Sequence, residues 1–168
     1  MQHIERYLAD LKTTLEALDP AQIKAARDRI AAVRERGGQL ILCGNGGSAA
    51  TASHLANDLG KGASYGRQGP RFRVIALTDN VPWMTALAND VSYDVIFSEQ
   101  LRNLGQPGDV LLAISGSGNS RNILEAVHVA KEIGMEIIGW TGFGGGKLAG
   151  EADLAIVAAS HHMGRVED

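Results

Sequence analysis

The residues best suited to chemistry in this chain are small, polar and gathered in two loops. Ser115-Gly116-Ser117-Gly118-Asn119-Ser120 brings three hydroxyls and two glycines together. Glycine lets a backbone approach a ligand closely. A helix N-terminus adds unpaired N–H groups and a partial positive charge. Such a loop suits a phosphate group. A plain βα turn capped by Ser120 or Asn119 is the other reading, but capping alone needs a shorter loop. Gly44-Asn45-Gly46-Gly47-Ser48 is a second loop of the same kind. Beyond it, His54 and Asp58 are four apart, one helical turn along a shared face. That pair serves as two metal ligands, as an acid/base pair, or as an ordinary surface pair. Asn89-Asp90 offers polar groups to sugar hydroxyls, or simply a turn. Glu167 is the remaining carboxylate near a predicted strand end. His161 and His162 are adjacent, so at most one of them faces a site. Lys61, Arg67 and Arg71 lie in a glycine-rich connection, where they reach an anionic ligand or are simply solvated.

The elements that must position these groups follow from the apolar pattern. Gln39–Cys43 and Val110–Ile114 are apolar runs that feed the two loops, and helical patterns follow at Ala49–Leu59 and after Ser120 to about Gly134. Arg73–Leu77, Met135–Trp140 and Leu154–Ala158 read as three further strands. Pro82 opens a helix through Ala88, which Asn89-Asp90 breaks, and Tyr93–Leu104 reads as one more helix. Thr141–Gly146 reads as a loop. Strands alternating with helices imply right-handed βαβ units and a parallel sheet. Both small-residue loops then fall at the carboxyl edge of that sheet, where open α/β sheets bind ligands.

Two helices precede the first strand. Residues 2–18 carry Ile4, Leu8, Leu11, Leu15 and Leu18 at helical spacing. Asp19-Pro20 starts the second helix, which runs to about Arg36 before Gly37-Gly38. This leading hairpin is expected to support oligomerisation, or else to pack on the domain's own sheet. Residues 161–168 read as the start of an element that continues past Asp168.

Bulk properties narrow the classes. The 168 residues suffice for one domain with a core, and the net charge of −3 gives no reason to expect nucleic acid or membrane as partners. The single cysteine excludes an intramolecular disulfide and fits a reducing, cytoplasmic compartment. No signal peptide is visible, and no apolar run reaches the ~20 residues of a membrane span. Nucleotide cofactors are not expected. The first loop lacks G-x-G-x-x-G and G-x-x-x-x-G-K-[ST], and Gly142-Phe143-Gly144-Gly145-Gly146-Lys147 lacks both the glycine spacing and the following Ser/Thr.

Taken together, Gly44–Ser48, His54, Asn89-Asp90 and Ser115–Ser120 resemble the SIS (sugar isomerase) domain, and within it the phosphoheptose isomerases. The resemblance covers nearly the whole chain. It implies an α/β, flavodoxin-like three-layer sandwich with a five-stranded parallel sheet behind an N-terminal helical hairpin. The single SIS domain would span 1–168, with helices to 36, the core from 37, and a C-terminal helix beyond 168. It also implies a homotetramer with sites at subunit interfaces. Asn45, Gly46, Gly47 and Ser48 would line the sugar, and Asn89, Asp90 and Glu167 would contact substrate. Ser115, Gly116, Ser117 and Ser120 would hold the phosphate.

His54, Asp58 and Glu167 would occupy three of the four positions that bind zinc in some members. The chain departs from the family pattern in carrying Asp58 where the family has its catalytic glutamate and Glu167 where it has a glutamine. The family's second catalytic histidine would lie past Asp168. The expected activity is aldose–ketose isomerisation of a phosphosugar, sedoheptulose 7-phosphate first among them, with Asp58 as base and His54 polarising oxygens. A non-catalytic SIS protein that binds phosphosugars or partners is the alternative, and it would tolerate the same departures.

Overall fold

The computed structural model describes residues 1–167, the Glu167 side chain excepted. Helices α1 (Gln2–Glu16) and α2 (Pro20–Glu35) precede the first strand. Strands β1 (Gln39–Cys43), β2 (Arg73–Ala76), β3 (Val110–Ser115), β4 (Glu136–Gly142) and β5 (Leu154–Ala158) alternate with α3 (Gly47–Asn57), α4 (Val81–Asp90), α5 (Ser98–Leu104), α6 (Arg121–Ile133) and α7 (Gly146–Glu151). Helix α8 (Met163–Glu167) follows β5. The five strands form one parallel sheet in the order β2-β1-β3-β4-β5, the flavodoxin-like arrangement. It reverses direction between β1 and β3, so their following loops diverge and leave a crevice between them.

Why β1 and β3 are apolar throughout is plain from the packing. Ile41, Cys43, Leu111 and Ala113 join one core with α5, α6 and Leu148 of α7. Leu40, Leu42, Val110, Leu112 and Ile114 join a second core with Ala26 and Val33 of α2 and Ala52 of α3. Both faces of each strand are therefore covered, which removes the polar half of the alternation. Buried Asp109 fixes the start of the pair: Gln39 N–H donates to its Oδ1 at 2.7 Å and Gln106 N–H to its Oδ2 at 3.0 Å.

Three local expectations change. Asn89 and Asp90 lie inside α4, which closes one residue later because Val91 and Ser92 N–H both bond the Leu87 carbonyl. Tyr93–Leu104 is not one helix: a short 3-10 turn, Tyr93–Val95, capped by the Ser92 hydroxyl, precedes α5. Thr141 and Gly142 belong to β4, and α7 begins where the loop was expected to continue. Helix α1 leaves much of its apolar stripe exposed and half-buries Leu11. Ile4, Leu8 and Leu15 are 60%, 59% and 59% exposed, while Tyr7, Asp10 and Thr14 face the body of the protein. No helix among the described residues is long and apolar enough to cross a membrane.

Candidate active site

The serine loop is built as a rigid cradle. Strand β3 ends on buried Ser115. The chain then turns tightly, with Gly118 N–H donating to the Ser115 carbonyl at 2.9 Å. Gly118 has φ +65°, and a Cβ there would stand 2.1 Å from the Gly145 carbonyl oxygen, so only glycine fits. The β4–α7 segment holds the loop from outside. Gly142 N–H donates to the Gly116 carbonyl at 2.9 Å, Leu148 N–H to the Gly118 carbonyl at 3.0 Å, and Lys147 N–H to Asn119 Oδ1 at 3.2 Å.

Ser120 occupies the cap position of α6, yet its side chain does not cap the helix. Its Oγ lies 3.2 Å from Ser115 Oγ instead. The helix α3 behind the other loop also lacks a side-chain cap. By contrast, Asp19 caps α2 through Ala21 N–H at 2.8 Å, and Asn80 caps α4 through Trp83 N–H at 3.2 Å. The two helices that start at the crevice thus keep their first N–H groups available, with the dipole favouring an anion there.

The first loop comes close because Gly44 has no side chain: a Cβ would meet the Ser48 backbone at 2.6 Å. Asn45 then bridges to the first turn of α6. Its Nδ2 donates to Asn122 Oδ1 at 2.9 Å, and Asn122 Nδ2 donates back to Asn45 Oδ1 at 2.8 Å. Tyr93 Oη donates to the same Asn45 oxygen at 3.0 Å. Asn45, Ser48, Ile114, Ser115, Gly116, Ser117, Ser120 and Met163 enclose a cavity of ≈ 180 Å³. Buried Cys43, immediately before Gly44, has its thiol pushed up to about 12 by desolvation and stays neutral.

The His54–Asp58 pair is arranged differently. His54 Nε2 lies 3.2 Å from Asp58 Oδ2, and the side chains are 77% and 56% exposed. Asn57 Nδ2 donates to Asp58 Oδ1 at 3.3 Å. Asp58 begins a π-helical turn, Asp58–Gly62, that extends α3. The pair is outside the group of residues that line the serine cavity.

The family model of the SIS domain matches residues 4–142. The phosphoheptose isomerase of Alteromonas mediterranea is 43% identical over 152 residues, 89% of this chain and 76% of that protein. That of Rhodospirillum rubrum is 43% identical over 159 residues, 95% and 83% of the two chains. The solved phosphoheptose isomerase of Neisseria gonorrhoeae superposes with a TM-score of 0.87 at 33% identity, covering 99% of this chain and 89% of that one.

The chain belongs to the SIS domain family and, within it, to the phosphoheptose isomerases.

Seen as a phosphoheptose isomerase, the chain brings Asn45, Ser48, Ser115, Gly116, Ser117 and Ser120 to one cavity. Gly46 and Gly47 form the exposed entry to α3 beside it. Asn89 and Asp90 sit at the exposed end of α4, where Asn89 Nδ2 donates to Asp90 Oδ1 at 2.7 Å. The Glu167 side chain lies outside the described residues. Among the described residues, no three of His, Cys, Asp and Glu gather into a metal-binding group. Among the described residues His54 and Asp58 supply two donors, short of the three or four protein ligands of a zinc site. Sequence reading missed Asn122, Tyr93 and the β4–α7 buttress. Asn122 looked like part of a helical pattern, and its pairing with a residue 77 positions away leaves no local signal.

Proposed function

We propose that this chain interconverts sedoheptulose 7-phosphate and D-glycero-D-manno-heptose 7-phosphate. The observation that carries the reading is the serine cavity at the mouth of two helices without side-chain caps, in a chain whose relatives are named for this isomerisation. Ser115, Ser117 and Ser120 donate to the phosphate, and the N-terminus of α6 faces its charge. Anchoring the non-reacting end in this way uses remote binding to fix geometry at the carbonyl.

The reaction moves protons only. Asp58 takes a proton from C1 of the ketose while the C2 carbonyl oxygen gains one, giving an enediol. A proton returned to C2, with loss of the O1 proton, yields the aldose. His54 is the group that polarises or protonates the oxygens, and general acid–base help of this kind contributes roughly 10²–10⁴-fold. Asn89 and Asp90 serve the sugar hydroxyls, and Glu167 the substrate or a metal. Zinc held by His54, Asp58 and Glu167 would add Lewis-acid polarisation. A homotetramer would cover the exposed Ile4, Leu8 and Leu15 stripe of α1 with a second copy, in a reducing cytoplasm that suits the lone thiol.

The test is turnover of sedoheptulose 7-phosphate with and without added zinc, using Asp58→Asn as control. Loss of aldose formation in the variant supports the assignment. An intact wild-type protein that binds the sugar phosphate and never converts it would turn the reading to a sensor or binding protein.

A further inference from the structure

One wall of the serine cavity comes from α8. Met163 lines the cavity. A Cβ on Gly116 would stand 2.8 Å from Met163 Sδ, and one on Gly142 would stand 2.4 Å from Val166 Cγ1. Helix α8 therefore rests directly on the glycine backbone of the serine loop and its buttress.

The fastening comes from α1. Arg165 Nη2 pairs with Asp10 Oδ2 at 2.6 Å, with side chains 20% and 40% exposed. The same guanidinium lies 5.3 Å from the centroid of the Tyr7 ring. The His162 ring meets Tyr7 edge-on, with centroids 5.8 Å apart. Asp10 is the one ion-pair partner of Arg165 among the described residues. These contacts explain the orientation of α1. The helix turns Tyr7 and Asp10 inward, where the charge and ring have partners on α8, while Ile4, Leu8 and Leu15 stay exposed.

We propose that Arg165 is a positioning residue: through Asp10 and Tyr7 it uses the N-terminal helix to hold α8 against the serine loop, and so sets sugar-phosphate affinity from a distance. This rests on the reading that the serine cavity holds the phosphate. Coupling between distinct sites is reciprocal, so an occupied cavity also tightens α1 on α8.

Two measurements test the proposal on the full chain. The first is hydrogen exchange without ligand. Asp10→Asn raises exchange at the amides of residues 163–166 and of the serine loop, and leaves β1 and β3 as in the wild type. The second is steady-state kinetics with sedoheptulose 7-phosphate. Asp10→Asn raises KM about 5–10-fold, in the ordinary range of site coupling, with kcat held within about twofold.

Exchanging the charges, Asp10→Arg with Arg165→Asp, restores both readouts. Tyr7→Leu, which keeps apolar bulk and removes the ring, gives a smaller shift in the same direction and covers the event that a charge variant fails to fold. Wild-type exchange of α8 in Asp10→Asn overturns the proposal, as does a loosened α8 with an unchanged KM. A wild type that converts no sedoheptulose 7-phosphate counts against the isomerase reading alone. The exchange experiment then still decides whether α1 fastens α8.

Discussion

The serine loop and the His54–Asp58 pair are built to different standards. The loop is fixed by three bonds from the β4–α7 segment and encloses a cavity within a single chain. The pair stands on an exposed helix face with one 3.2 Å contact between its members. Recognition of an anion needs many donors held still, and a sheet edge provides these from one chain. Acid/base chemistry needs only a few groups, and their final placement depends on what closes over them. Under the proposed function, the enclosed loop is the end that anchors the phosphate and the exposed pair is the end that does the chemistry.

Separate substitutions should pull the two regions apart. Asp58→Asn is expected to have the largest effect, lowering kcat roughly 10²–10⁴-fold while stabilisation by inorganic phosphate in a thermal-shift titration stays as in the wild type. Loss of that phosphate response would show that the regions are not independent. Gly118→Ala strikes the cradle itself. A methyl group aimed at the Gly145 carbonyl, on a backbone that disfavours side chains, should cost about 3 kcal/mol in urea unfolding and abolish the phosphate response.

Ser120→Ala is milder. Losing one hydroxyl from a charged phosphate is worth about 1.5–3 kcal/mol, read as a higher KM with kcat nearly unchanged; a fall in kcat alone would break the division of labour. Asn122→Ala leaves Asn45 without its amide partner and should cost about 1–3 kcal/mol of stability.

The smallest effect concerns pH. The folded Cys43 thiol ionises at about 12 rather than 9.0. The unfolded chain therefore gives up its proton first, and stability falls as pH climbs between those values. Below that window the native thiol should resist thiol reagents, and rapid labelling of the folded protein at neutral pH would contradict its burial.

Much of this was legible in the sequence because it is written in short-range pattern. Strands β1 and β5 fall on Gln39–Cys43 and Leu154–Ala158 as the apolar runs require, and Asp19-Pro20 starts α2 where capping chemistry places it. The two small-residue loops announced the cavity. Asp58 and His54 pair across one helical turn as their spacing of four requires, though spacing said nothing of their exposure. The leucine pattern of α1 located the helix and left its facing open between a partner and the domain's own sheet, since periodicity reports that a stripe exists and not which neighbour covers it.

What the sequence determined, then, is the parallel α/β sheet, the carboxyl-edge loops and the donor types they carry, because strand runs, glycines and caps act over a few residues. What only the tertiary structure decided is which distant groups meet. Asn45 finds Asn122 and Tyr93, the β4–α7 segment supports the serine loop, and Asp10 near the start of the chain holds Arg165 near its end. These contacts join residues far apart in the chain, where no period or motif links one partner to the other and only the packing of the sheet brings them within bonding distance.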